Sequence, residues 1–290
     1  VIDLALAQRL LEVAVGPVVT ELCNLEPELP PVMVVGAACR DALHAAAGHA
    51  HPLRRTDDLD IAVAVNGWDH FNTLTAQLAA VAGASSTIRY RVAGHTVDIV
   101  PFGEPVESPD GIVSPSRRGE AMSVFGFQDV WQSAYEVEVS APRPVRVPTV
   151  AGYTVLKLKA WADRSAHDEH KDGGDLAIAM HWYQEDDELL AQRIWGGDDA
   201  GITLLSESDF SLPEAAVRLL IGDARAVLSP ARQEELTTVW RDLVADDRLA
   251  EHLHNGLLPG WPPRGDKRLT DYARAVRQTL LVGTASVQPL

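Results

Sequence analysis

The sequence predicts an α+β protein: a mixed β-sheet flanked by helices over residues 1–148, followed by a helical domain over 149–290. Three observations carry this. Val32 to Gly36 (VMVVG) reads as a buried strand that stops at a glycine, with a helix starting at once. Three further strand-like segments, DLDIAVAV, TIRYRV and HTVDIVPF, follow within about sixty residues. At Pro148 the pattern turns helical and stays so to about Leu281.

Taken in order, Asp3 to Cys23 has apolar residues at helical spacing and ends before the proline-rich LEPELPP. The strand 32–36 and the alanine-rich helix 37–49 come next, then the polar loop HAHPLRRT and the strand beginning at Asp58. A helix is expected from about Trp68 to Val81. TIRYRV and HTVDIVPF are separated only by Ala93 and Gly94, the signal of a hairpin. Residues 104–119 are rich in Pro, Ser, Gly and charge and read as a surface loop, and YEVEVS and VRVP close the first domain as strands. Beyond it, TVAGYTVLKLKAWADRSA and GDLAIAMHWYQ are helical, and GG and PGWPP punctuate the remainder.

Composition narrows the function. The 290 residues are 46% hydrophobic and carry a net charge of −16, enough apolar content for two modest cores and a charge that repels polyanions overall. Asp172 to Glu251 holds 18 acidic and 6 basic residues, whereas Arg143 to Lys171 holds 6 basic and 3 acidic. Contact with nucleic acid would therefore need a local basic face, with Arg40, Arg54, Arg55, Arg89, Arg91, Arg117, Arg118, Arg143, Arg146, Lys157, Lys159 and Lys171 as candidates. Cys23 and Cys39 lack metal-site spacing and are expected to be reduced core thiols. No apolar run reaches membrane-spanning length and no signal-peptide pattern opens the sequence, so the expectation is a cytoplasmic protein without a membrane partner.

The chemistry concentrates in RRTDDLDIAV, Arg54 to Val63. Residues i and i+2 of a strand share a face, so Asp58 and Asp60 stand side by side while Leu59 and Ile61 face the core. Such a pair needs positive charge between its members, and Mg2+ or Mn2+ supplies it through oxygen ligands. Asp57 has the wrong parity and reads as a turn residue. Asp98, between Val97 and Ile99, is the candidate third carboxylate and candidate general base if its strand lies beside the first. Upstream, Gly36 at a strand-to-helix turn offers backbone N–H groups to phosphate. Arg89 and His95 read as surface residues of the hairpin, and Trp161 and Trp182 as core.

The order VGAACRDAL, RRTDDLDIAV, VDIV resembles the nucleotidyltransferase superfamily. The R-x-T-x-D-x-D form of Arg54, Thr56, Asp58 and Asp60, with PTVAGYTVLKLKAWADRSAHDEHKDGGDL, is similar to the AbiEii or MenT type of nucleotidyltransferase toxin. The resemblance spans about Val32 to Leu176. It implies a catalytic first domain and a helical domain completing the cleft, with Asp58, Asp60 and Asp98 as metal ligands. It also implies Lys157 as a catalytic triphosphate-binding cation, and Gly36, Ala37, Arg54, Thr56, Asp172 and Asp175 as nucleotide-binding positions. Ala37 stands where the pattern has Gly or Ser, so only backbone donors serve there. The implied reaction moves a nucleoside monophosphate from a nucleoside triphosphate to an acceptor hydroxyl. The expected acceptor is the 3′ end of tRNA, in a toxin with an antitoxin partner. The alternatives are a small-molecule acceptor such as an aminoglycoside, or a catalytically inactive binding or regulatory protein.

Overall fold

A computed structural model of the chain describes residues 2–26, 28–81, 88–115, 121–167, 169–196, 199–243 and 246–282. Arg117, Arg118 and Asp168 lie outside the described residues. The chain divides into two compact units, 2–149 and 150–290.

The first unit opens with α1 (Leu4–Ala14) and α2 (Gly16–Leu22), two helices where the apolar spacing suggests one. Pro17 causes the break, since it lacks an N–H and its ring excludes the carbonyl four residues back. Next come β1 (Val32–Val34), α3 (Gly36–Ala46), β2 (Asp58–Ala64), α4 (Trp68–Thr75), β3 (Ala79–Ala80), β4 (Arg89–Val92) and β5 (His95–Phe102). The unit ends with β6 (Ile112–Val113), β7 (Met122–Ser123), α5 (Phe127–Ser133), β8 (Tyr135–Val137) and β9 (Val145–Val147).

Seven strands form one mixed sheet in the order β3-β4-β5-β2-β1-β9-β8. β2 is central: it runs parallel to β5 over seven residue pairs, from Asp58↔Thr96 to Ala64↔Phe102, and antiparallel to β1. Its Ile61, Ala62 and Val63, with Val97 and Ile99 of β5, are fully buried. α3 packs on β2 and against α1, so the helix that follows Gly36 is anchored from two sides.

Two expectations are corrected. The helix from Trp68 ends at Thr75, not Val81: Ala79 and Ala80 pair with Arg91 and Tyr90 as an edge strand. Sheet pairing overrides the helical spacing there. Within 104–119, Ile112 and Val113 pair with Ser123 and Met122, and Val113 is buried, so the segment includes a small ribbon and is not all surface loop.

The second unit is helical among its described residues: α6 (Val150–Arg164), α7 (Lys171–Gln184), α8 (Asp187–Arg193), α9 (Asp199–Glu207), α10 (Leu212–Val227), α11 (Pro230–Asp242), α12 (Asp246–Leu253) and α13 (Lys267–Val282). α10 packs on α6, α7 and α13, and α12 on α7 and α13. Trp161 and Trp240, both fully buried, stack at 5.2 Å in this core. Gly173 and Gly174 let α7 approach closely, since a Cβ at Gly174 would stand 2.9 Å from the Asn255 carbonyl oxygen. No helix among the described residues is long and apolar enough to cross a membrane.

Candidate functional site

Sheet register assembles the acidic site. Asp60 pairs with Asp98 across the parallel β2/β5 ladder, and partners in a ladder project from the same face. Asp58 joins them by the two-residue strand period. Leu59 and Ile61 turn to the buried side, as parity requires, and Asp57 is an exposed bend residue. Asp98 is the most deeply placed of these three carboxylates, 9% exposed overall.

Gly36 closes one flank. Its φ of +61° is left-handed, and a Cβ there would stand 2.8 Å from Asp60 Cγ and 2.9 Å from Asp60 Cβ. Glycine is thus required twice, by backbone conformation and by the carboxylate pressed against it. Val35, which precedes α3, gives it no side-chain cap, and Gly36, its first residue, lies against the Asp60 carboxylate, so the positive end of the helix dipole is beside that acid. The backbone is locked to β2 here, the Val35 N–H donating to the Asp60 carbonyl at 3.1 Å.

Arg89, read from sequence as a surface residue of the hairpin, is corrected by the structure. It pairs with Asp98 across the antiparallel β4/β5 ladder. Its Nε donates to Asp98 Oδ1 and its Nη2 to Asp98 Oδ2, both at 2.7 Å, and Nη2 also reaches Asp58 Oδ2 at 2.7 Å. The hydrogen bond to Asp98, opposed by partial desolvation and reinforced by the charges of Asp98, Asp58 and Asp60, holds the guanidinium pKa above its ordinary value. Part of the positive charge that this acidic face requires is therefore supplied from within the chain.

The donors suit magnesium or manganese in type, being carboxylate oxygens on adjacent strands beside a helix N-terminus. As they stand, the place between Asp58 and Asp98 is taken by a guanidinium, and no three His, Cys, Asp or Glu side chains among the described residues converge to hold a cation. A cation there would replace Arg89.

The loop entering β2 is held by Arg40 of α3. Arg40 is 1% exposed and donates through Nη2 to the Arg54 carbonyl at 2.6 Å and through Nε to Asp41 Oδ1 at 2.9 Å. It is therefore withdrawn from the candidates for nucleic-acid contact. Arg54, Arg55 and Thr56 are exposed, while Ala37 is buried in the first turn of α3.

The remaining expected residues lie in the second unit. Lys157 on α6 pairs with Asp175 at 2.6 Å and Asp172 at 3.2 Å, and Arg164 reaches Asp172 at 2.7 Å. Asp172 is fully buried and Lys157 is 14% exposed at its side chain, so Asp172 is no part of a solvated helix end. Burial alone would lower the Lys157 pKa, but the charges and hydrogen bonds of Asp175 and Asp172 outweigh it and raise it. Sequence reasoning passed over the neighbouring chain in which Trp161 Nε1 donates to His252 Nδ1 at 3.0 Å and His252 Nε2 meets His170 Nδ1 at 2.8 Å. Since indole is only a donor, His252 carries its proton on Nε2.

Other candidate cations are also engaged. Lys159 pairs with Asp163 at 2.6 Å, Arg143 with Glu28, and Arg146 with Glu136 while lying over the Trp131 ring. Neither a protein-family model nor a curated protein matches this sequence.

Proposed function

We propose that residues 2–149 form the catalytic domain of a metal-dependent nucleotidyltransferase, which moves a nucleoside monophosphate from a nucleoside triphosphate to an acceptor hydroxyl and releases pyrophosphate. One observation carries the reading: Asp58, Asp60 and Asp98 share one face of adjacent strands, beside a helix N-terminus opened by a glycine that cannot be replaced without striking Asp60.

Each residue then has a task. Asp58, Asp60 and Asp98 would hold magnesium or manganese, which when bound offsets triphosphate charge and acidifies the acceptor hydroxyl. Gly36 and Ala37 present backbone N–H groups to phosphate. Arg40 holds the backbone of the loop that carries Arg54 and Thr56 into β2. Asp172 and Asp175 orient Lys157, which keeps its proton through the neutral pH range and remains the candidate triphosphate cation.

For the acceptor, the resemblance favours the 3′ end of tRNA and a growth-arresting toxin with a protein antitoxin. The engagement of Arg143, Arg146 and Lys159 by acidic partners, with the net charge of −16, favours instead a small cationic acceptor of the aminoglycoside kind. A third reading, an inactive binding protein on this scaffold, draws on the Arg89 contacts, which satisfy Asp58 and Asp98 without a metal.

One experiment separates them. The protein is incubated with magnesium, each of the four labelled triphosphates in turn, and either total tRNA or an aminoglycoside panel, beside Asp58→Asn. The expected result is label on tRNA, reduced by more than roughly 100-fold in the variant, since loss of even an outer-shell partner costs about 10- to 100-fold. Label on an aminoglycoside alone moves the acceptor to the second reading. No transfer to either, or transfer unaffected by Asp58→Asn, defeats the proposed site.

A further inference from the structure

Arg89 is a charged group that the proposed reaction does not use, yet it is bound to two of the three carboxylates the reaction needs. Its fork takes both oxygens of Asp98 while one of its nitrogens also reaches Asp58, three contacts at 2.7 Å. This geometry is dictated by register, because Arg89 faces Asp98 across β4/β5 and Asp98 faces Asp60 across β5/β2. Asp60 lies against Gly36 on the same face. With one guanidinium among three carboxylates, the face keeps a formal charge of −2 and attracts cations, while its central position is already filled.

We propose that Arg89 is a resident counter-cation that competes with divalent metal for Asp58 and Asp98, so that metal entry requires release of the guanidinium. Without metal the clamp neutralises the carboxylates and holds β2, β4 and β5 together at their charged ends. With metal, the same oxygens change partner. The competition sets metal affinity below that of an open carboxylate cluster and keeps the site silent until a cation arrives. This rests on the nucleotidyltransferase reading in taking Asp58 and Asp98 as the cation's ligands.

The alternative explanation for any change in affinity is the field of one positive charge, and Arg89→Lys separates the two. Lysine retains the charge but loses the planar two-pronged grip on Asp98. The test is direct binding of Mn2+ to the full chain, measured by calorimetry and by the paramagnetic resonance signal of free Mn2+, for wild type, Arg89→Lys, Arg89→Gln and Asp58→Asn. Competition predicts binding about tenfold tighter in Arg89→Gln, the equivalent of roughly 1.4 kcal/mol, and about threefold tighter in Arg89→Lys, with loss in Asp58→Asn. It also predicts that metal-free Arg89→Gln melts lower than wild type, and that Mn2+ raises its melting temperature more.

Equal affinity in wild type and Arg89→Lys, with tightening only in Arg89→Gln, would show a field effect and overturn the competition. Equal or weaker binding in both variants would overturn it as well, while leaving the carboxylates as ligands. If no form binds Mn2+, the nucleotidyltransferase reading fails with it, a result distinct from the others. Should Arg89→Gln lack the far-ultraviolet circular dichroism of the wild type, Arg89→Lys decides alone.

Discussion

Replacing Lys157 by methionine tests whether this residue builds the second unit or only awaits a substrate. Its ammonium stands between Asp175 at 2.6 Å and Asp172 at 3.2 Å, and the Asp172 side chain is fully buried. Removing one partner of a buried ion pair costs about 3–5 kcal/mol, because the other charge is left desolvated. Arg164 still reaches Asp172 at 2.7 Å, so the lower end applies and about 3 kcal/mol is expected. Urea denaturation should show a lower midpoint with an unchanged slope. The combination Lys157→Met, Asp172→Asn, Asp175→Asn should recover much of the loss, because a whole network replaced by neutral groups is often tolerated. Activity lost in Lys157→Met and still absent after stability is recovered would mark a substrate role for Lys157, Asp172 or Asp175 beyond the structural one.

The same residue makes a pH statement. Its pKa is raised in the folded protein, Asp175 and Asp172 outweighing desolvation. A group with a raised folded pKa contributes its full stability below its unfolded value, about 10.4 for lysine, and loses it as pH climbs through the folded value. The stability gap between wild type and Lys157→Met should therefore stay level from pH 7 to about 10 and narrow above that. A cost below about 0.5 kcal/mol, or a gap that closes by pH 8, would refute the assignment of a buried, charge-stabilised lysine.

Two other substitutions probe the first unit. Gly36→Ala should cost roughly 1–3 kcal/mol, from a left-handed φ of +61° and overlap with Asp60, and should weaken Mn2+ binding by displacing that carboxylate. Thermal denaturation and a metal titration would show both, and wild-type values would mean that the Asp60 contact is not maintained in solution. Ala93→Gly should raise the denaturation midpoint, with a gain of about 0.5 kcal/mol, because Ala93 holds φ +49° in the hairpin turn beside Gly94. A lower midpoint would argue against that turn.

How far the site could be read from sequence depends on which kind of periodicity governs each residue. The pairing of Asp58 with Asp60 and the separation of Asp57 follow from the strand repeat alone. Arg89 was equally legible, though as a partner and not as an isolated residue. A two-residue turn at Ala93 and Gly94 forces Val92 opposite His95, and counting outward places Arg89 opposite Asp98. Lys157 is different. Asp172 and Asp175 share a helix face by their spacing, but their meeting with Lys157 depends on how α6 packs on α7, which no local pattern encodes. The burial of Arg40 in an alanine-rich helix was likewise hidden, as was the end of α4, since Leu74, Leu78 and Val81 keep helical spacing while Ala79 and Ala80 pair in the sheet.

The cluster at RRTDDLDIAV poses a question that local pattern leaves open. Three carboxylates on one face require counter-charge, and both a bound metal and a built-in arginine satisfy that requirement. Enzyme and inert scaffold differ in whether the counter-charge can be exchanged. Arg89 and Asp58 have side chains 33% and 34% exposed, and an ion pair so open to water is worth on the order of 1 kcal/mol or less. Asp98, at 12%, is held more firmly by its two-pronged contact. The clamp is thus weakest at Asp58, the more exposed acid, and release can begin there while Asp98 still holds the guanidinium. A divalent ion at ten times its dissociation constant contributes about 1.4 kcal/mol through mass action, comparable to the cost of opening that first contact. On the proposed reading, the counter-charge at Asp58 is therefore exchangeable on energetic grounds, and release of the guanidinium starts at that acid.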